Sequence, residues 1–167
     1  YIIDVFRCGA KYHDQLIYMY IMPHSPGNTP ASFRRCFYEA VAHGSKYFNY
    51  FAPYPTALAY TENHVTERDL PMWQAMHDVI QEAGLFEDIV YPGKVRPAEV
   101  AILLSESSEV WNRSMLFNAE KQHIWMALKH AQLPVDFLIE DDLVDGYLEK
   151  YKVLYICDPC IREDASR

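Results

Sequence analysis

Several short stretches of this chain carry residue types that can do chemistry. Met22-Pro23-His24-Ser25-Pro26-Gly27 closes an apolar run that begins at Leu16, and it sets an imidazole beside a hydroxyl in a turn rich in Pro and Gly. The plain alternative is a turn with no chemistry. Cys157-Asp158-Pro159-Cys160 is a Cys-x-x-Cys. At a helix start such a pair can be redox active, because the helix dipole stabilises the thiolate. A metal site would need a second pair, and the other two cysteines, Cys8 and Cys36, stand in the first half of the chain. Two ordinary thiols at a strand end is the better reading. Ser105-Glu106-Ser107-Ser108 follows an apolar strand, the position at which doubly wound folds hold phosphate. It has no glycine, and its acidic neighbours repel phosphate. Asn112-Arg113-Ser114 fits a glycosylation sequon, which matters only in a secreted eukaryotic protein. Finally, Tyr47, Phe48, Tyr50, Phe51, Tyr54 and Tyr60 form a dense aromatic run. Large rings stack on the C–H faces of sugars while their polar tips reach hydroxyls. Core packing accounts for most of these rings, and Tyr54, beyond the strand end, is the candidate ligand contact.

The elements that must position these residues are readable. Leu16 to Met22 is a continuous apolar run, the pattern of a buried strand. Thr29 can cap a helix, Pro30 fits its first position and Gly44 its stop, with Phe33, Phe37, Ala40 and Val41 at helical spacing. Tyr47 to Phe51 is the next strand. On it Tyr47, Asn49 and Phe51 share one face, and Phe48 and Tyr50 the other. Strand, loop, helix, strand is the repeating unit of a (β/α) barrel, whose sites lie at the C-terminal strand ends. A long loop runs from Tyr54 to Val65. Thr66 to Asp69 looks like a capping box, Leu70, Trp73, His77 and Ile80 make a helix face, and Gly84 is the expected stop. Leu85 to Pro97 reads as a connector.

The pattern changes at Pro97. Strands are expected at Val100 to Leu104, Val135 to Ile139 and Val153 to Cys157, with a helix carrying Ile124, Trp125, Leu128 and Ala131 between the first two. That is the opening of a doubly wound α/β domain. The first stretch, Tyr1 to Gln15, reads as the helical end of a preceding element.

The chain has 167 residues, 50% hydrophobic and 23% charged, so it is globular rather than disordered. A formal net charge of −8 argues against nucleic acid, whose phosphates need clustered Lys and Arg. No apolar run reaches the ~20 residues that span a bilayer. Nothing at the start has the order of a signal peptide, though a fragment need not contain one, so the localisation is unknown, with a soluble, cytoplasmic rather than secreted setting as the expectation. Tyr1 nevertheless falls inside an apolar stretch and the end is polar, so the chain reads as a fragment. Four scattered cysteines do not make a disulfide scaffold.

Met22, Pro26 and Gly27, with Ala42-His43-Gly44 before the second strand, resemble the end of the catalytic barrel in family 42 glycoside hydrolases, the beta-galactosidases. In that family a Met-Glu-x-x-Pro-Gly loop carries the nucleophilic glutamate, and here Pro23 stands in its place. The family has Phe-x-Trp where this chain has Phe51-Ala52-Pro53, so the sugar-stacking tryptophan is missing too. A family Glu-x-x-His on the next loop is matched, at shorter spacing, by Glu62 and His64. In the second half, Ala131 to Asp136 and Tyr151-Lys152-Val153-Leu154 resemble the family's trimerisation domain.

The resemblance implies an α/β protein of two parts. Residues 1–96 would be the C-terminal part of a TIM barrel, and residues 97–167 the first part of a flavodoxin-like, class I glutamine amidotransferase-like trimerisation domain. It implies a carbohydrate ligand contacted by His24, Tyr54, Glu62 and His64, a homo-oligomer, and neither cofactor nor metal. No catalytic residue is assigned, because the acid/base would lie upstream. A retaining glycosidase needs two carboxyl groups about 5–5.5 Å apart, and Pro23 offers none. The parent is a divergent glycosidase or a member that has lost hydrolysis. The competing class is a non-catalytic carbohydrate-binding or oligomerisation protein on the same scaffold.

Overall fold

The computed structural model describes residues 1–13, 15–23, 28–51, 69–112 and 116–167. Contacts divide them into two compact units, His13–Val95 and a second made of Tyr1–Tyr12 with Arg96–Arg167. The described elements in chain order are α1 (Ile2–Gly9), β1 (Ile17–Ile21), α2 (Pro30–Ala42), β2 (Ser45–Tyr50), α3 (Leu70–Val90), β3 (Val100–Leu104), α4 (Glu106–Trp111), α5 (Leu116–His130), β4 (Val135–Ile139), α6 (Glu140–Val144) and β5 (Val153–Tyr155).

In the His13–Val95 unit, β1 and β2 pair in parallel, with Tyr18 opposite Tyr47 and Ile21 opposite Tyr50. The crossover is α2. Its first turn is held by reciprocal bonds: Ser32 N–H donates to Thr29 Oγ1 at 3.2 Å, and Thr29 N–H to Ser32 Oγ at 2.9 Å. Pro30 follows the cap, where its missing N–H costs nothing. At the other end Gly44 takes φ +98°, a left-handed geometry that glycine enters freely. One face of the strand pair is covered. Ile21, Phe33, Phe37, Met72, Met76 and Val79 form a core, with Phe48 and Tyr50 packed against it. The pleat sends Tyr18 and Tyr20 the other way, where they are 48% and 56% exposed.

The helix α3 runs to Val90, past the expected stop at Gly84, so Leu85 to Val90 is helix and not connector. A mid-helix glycine costs only about 1 kcal/mol, and the last turns have partners that offset it. The ring of Phe86 lies 6.3 Å from that of Tyr38, and Lys46 Nζ donates to the carbonyls of Val90 and Gly93 at the helix end. Arg34 grips both oxygens of Glu82 at 2.8 Å and thereby ties α2 to α3.

The other unit holds a parallel sheet in the order β4-β3-β5. The central strand is dry: Ala101, Ile102 and Leu103 are fully buried, as are Val135 and Leu138 on β4. Its third strand is shorter than expected, ending at Tyr155 rather than Cys157. The helix α1 belongs here. Asp4 is fully buried and accepts from Trp125 Nε1 at 2.9 Å and pairs with Lys129 at 3.1 Å. Arg7 meets Asp136 at 2.8 Å. Cys8, read from the sequence as part of the first half, is instead buried against Ile102, Val135 and Phe137. Its position on the apolar face of α1 explains this, and Phe137 N–H donates to its sulfur at 3.1 Å.

Candidate functional site

The strand-end loop is the first place to look. β1 ends at Ile21, and Pro23 stands two residues beyond and is buried. The chain on either side is pinned. Phe51 N–H donates to Ile21 O at 3.2 Å, which carries the parallel pairing past the end of β2. Asn28 Nδ2 donates to Met22 O at 3.0 Å and its Oδ1 accepts from Ser32 Oγ at 3.1 Å, which anchors the loop's exit to the start of α2. Pro23 carries no group that can attack an electrophile or hold a proton. His24, Ser25, Pro26 and Gly27 lie outside the described residues, as do Ala52, Pro53, Tyr54, Tyr60, Glu62, His64 and Thr66. Among the described residues nothing therefore brings His24, Tyr54, Glu62 and His64 together.

The uncovered face of the strand pair is aromatic. Tyr18 and Tyr20 meet edge to face at 5.1 Å, and Tyr20 meets Phe51 at 6.4 Å. Tyr47 is also about half exposed, at 47%, on this face. The opposite face takes Tyr50, whose ring packs 5.4 Å from Phe33. Burial pushes the Tyr50 phenol up to about 12, so it stays protonated in any physiological setting. An apolar cleft of ≈ 170 Å³ between α2, β2 and α3 is walled by Phe37, Phe48, Ala83 and Phe86. Ser45 and Lys46 also line it, at the N-terminal end of β2, away from the end at which barrel folds do chemistry.

A second set of polar groups gathers at the C-terminal ends of the other sheet. Ser105 follows β3, Glu140 follows β4, and Asp158 and Cys160 follow β5. The first three are 1%, 1% and 8% exposed. Glu140 Oε1 accepts from Ser105 Oγ at 2.8 Å and from Arg162 N–H at 3.1 Å, and its Oε2 from Ser107 Oγ at 2.8 Å. Burial alone would raise the Glu140 carboxyl, but the hydrogen bonds from Ser105, Ser107 and the Arg162 amide outweigh it and hold the carboxyl below its usual range. Cys160 O accepts from both Ser105 Oγ and Ser108 Oγ at 2.6 Å, and Cys160 N–H donates to Ser108 Oγ at 3.0 Å. Asp158 joins fully buried Lys121 at 2.9 Å and accepts from Ser105 N–H at 3.3 Å.

The sequence singles out Ser105–Ser108 and Cys157–Cys160 separately but not Glu140 or Lys121. The available signal is that Ser105 and Glu140 come directly after two buried strands and Asp158 three residues after β5, at ends that a parallel sheet aligns. The Cys157 thiol is pushed up, first by burial and then by Asp158, which is the opposite of redox activation. All four cysteines are free. Among the described residues no cluster of His, Cys, Asp and Glu could hold a metal ion, and no helix is long and apolar enough to cross a membrane.

No protein-family model matches the sequence, and no curated protein matches it. Among solved structures, the chain is similar to Gan42B, described as a GH42 beta-galactosidase from G., with a TM-score of 0.72 at 20% identity. The match covers 93% of this chain and 25% of that one, so the chain spans about a quarter of that protein's length. At this identity the likeness establishes the fold: a mixed α/β arrangement with parallel sheets, similar to part of a GH42 enzyme.

Proposed function

We propose that this chain is part of a glycoside hydrolase scaffold of the family 42 kind, with a position for the nucleophile but no nucleophile in it. Residues 1–96, apart from the Tyr1–Tyr12 segment that packs with the other unit, would supply the last strands of a catalytic barrel, and residues 97–167 the start of a flavodoxin-like oligomerisation module. The observation that carries this reading is the likeness to a GH42 beta-galactosidase over 93% of the chain. Three further observations support it. The pairing of β1 with β2 across α2 is the barrel repeat. The order β4-β3-β5 is 2-1-3, the first three strands of the 2-1-3-4-5 order of flavodoxin-like sheets. Pro23 sits directly past the end of β1, where the family's glutamate belongs.

The chemistry that follows is binding without displacement. A retaining glycosidase attacks the anomeric carbon with a carboxylate and forms a covalent glycosyl-enzyme. A proline ring cannot do this. His24, Tyr54, Glu62 and His64 would contact a sugar bound at the barrel mouth, and assembly would be homo-oligomeric.

The test is a mechanism-based 2-fluoro-galactoside applied to the full-length parent protein. No adduct on residues 22–27 and no turnover of an aryl galactoside are expected. Stoichiometric labelling with turnover would mean that a carboxylate from another loop has replaced the missing one, and the enzyme reading would then win. Sugar binding without turnover would select the non-catalytic carbohydrate-binding reading, which Pro23 already favours.

A further inference from the structure

The crevice at the carboxyl ends of β3, β4 and β5 is where doubly wound sheets take their ligands. In this protein it is filled. We propose that the segment 159–162 is a strap laid across that crevice in the place of a ligand, anchored at Asp158 by its buried pair with Lys121, and that it opens as a unit without unfolding the sheet beneath it.

Two features argue for a strap rather than a part of the core. The first is the kind of bond that holds it. Both polar backbone atoms of Cys160 and the amide of Arg162 are taken up by side chains of the crevice, namely Ser105, Ser108 and Glu140. Asp158 is tied by Lys121 and by the Ser105 amide. This is how a protein holds a bound peptide: by side-chain groups aimed at main-chain atoms rather than by a ladder. Glu140 supplies the negative charge, and the Ser107 hydroxyl and the Arg162 amide are turned toward it, so among the described residues these donors face a carboxylate of the protein itself.

The second feature is the contrast in apolar burial. Ala101, Ile102, Leu103, Val135 and Leu138 beneath are fully buried. Pro159 and Arg162 are exposed, and Cys160 and Ile161 only partly covered. The adjoining β5 is three residues long, with Val153 and Tyr155 45% and 37% exposed. Opening 159–162 with the Asp158–Lys121 pair left in place therefore exposes little apolar surface, whereas opening β3 exposes the whole core. Local openings with those properties lie at the low end of a protein's stability range.

Amide hydrogen exchange on the chain, read residue by residue, tests the proposal. In the wild type the Cys160 and Arg162 amides should exchange at least a hundredfold faster than those of Ile102 and Leu103. Glu140→Gln puts an amide NH₂ against two donors. It should speed Arg162 and Cys160 by a further tenfold or more and leave Ile102 and Leu103 unchanged. Ser107→Ala, which removes one donor to Glu140, should do the same to a smaller extent if Glu140→Gln folds poorly. Exchange of Cys160 and Arg162 in step with the β3 amides, in the wild type or in either variant, would overturn the strap and make the segment a full member of the core.

Discussion

Replacing Phe33 by Ala tests both the core of the His13–Val95 unit and its independence. Phe33 is 1% exposed and touches Tyr50 edge on at 5.4 Å, within the cluster that includes Phe37, Met72 and Val79. Buried Phe→Ala changes cost about 3–5 kcal/mol, because the lost burial adds to the cavity left behind. With a urea slope of about 1.3 kcal/mol/M, in the range for small units, the midpoint should fall by roughly 2–4 M. A single fluorescence signal would mix the two units, so the assay is ¹⁹F NMR of 5-fluorotryptophan-labelled protein. Trp73 lies against this core, whereas Trp111 and Trp125 belong to the unit that contains β3. The Trp73 resonance should report the lowered midpoint, and the Trp125 resonance should keep its wild-type one. Phe33→Leu, expected to cost roughly 1–2 kcal/mol, keeps the measurement in range if the alanine variant is unfolded in water. A loss under ~1 kcal/mol for Phe33→Ala would refute the packing argument, since a buried ring cannot be removed so cheaply. Equal shifts of both resonances would refute the division into two units.

Other expectations follow from single residues. Gly146 sits at φ +78°, so Gly146→Ala should lose about 1 kcal/mol, whereas Gly84→Ala, inside α3 with nothing within 4 Å of the added methyl, should gain roughly 0.5–1 kcal/mol. Denaturant midpoints distinguish the two signs. Thr29→Ala removes the oxygen that accepts the Ser32 amide and should cost about 1 kcal/mol, read from the Trp73 transition. At alkaline pH the Tyr50 phenol, raised from 10.0 to about 12 by burial, binds its proton more tightly in the folded state. Its stabilising contribution is full below pH 10 and lost as pH rises toward 12. Tyr50→Phe should flatten that decline for the Trp73 transition, and tyrosinate absorbance should show the corresponding late-titrating group disappear.

Local signals made most elements legible. β1 and β3 are continuous apolar runs, and α2 announces itself with Thr29, Pro30 and Gly44, each of which does in the structure what its type suggests. The misreading of α3 came from weighing Gly84 without its surroundings. Tertiary contacts of Phe86 and Lys46 carry the helix onward, and no local rule contains them. Leu16 to Met22 reads as apolar on both faces, with exposed apolar surface expected in this chain, and Tyr18 and Tyr20 are about half exposed; which of the two faces is covered is not written in a run of apolar letters. The Glu140 cluster was not legible, for a different reason. The bonds that join its strand ends span 22 to 55 positions, and only the parallel register brings them together. For the candidate sugar contacts the sequence remains the argument, since His24, Tyr54, Glu62 and His64 lie outside the described residues.

The docking of α1 on β4 has a consequence for how the chain is made. Arg7 reaches the Val135 carbonyl across 128 positions, so one unit is assembled from both ends of the chain with the other unit inserted between them. During synthesis the insert can be complete while α1 still waits for β4 to emerge, and the apolar side of α1 must be kept from other partners in that interval. The reverse holds once folding is finished. A protease that cuts the chain within the insert severs the covalent link between α1 and the sheet, but leaves Asp4 on Trp125 and Lys129, Arg7 on Asp136 and Cys8 on Phe137. The two pieces should then stay together, and the one that carries α1 should leave only when the sheet itself unfolds.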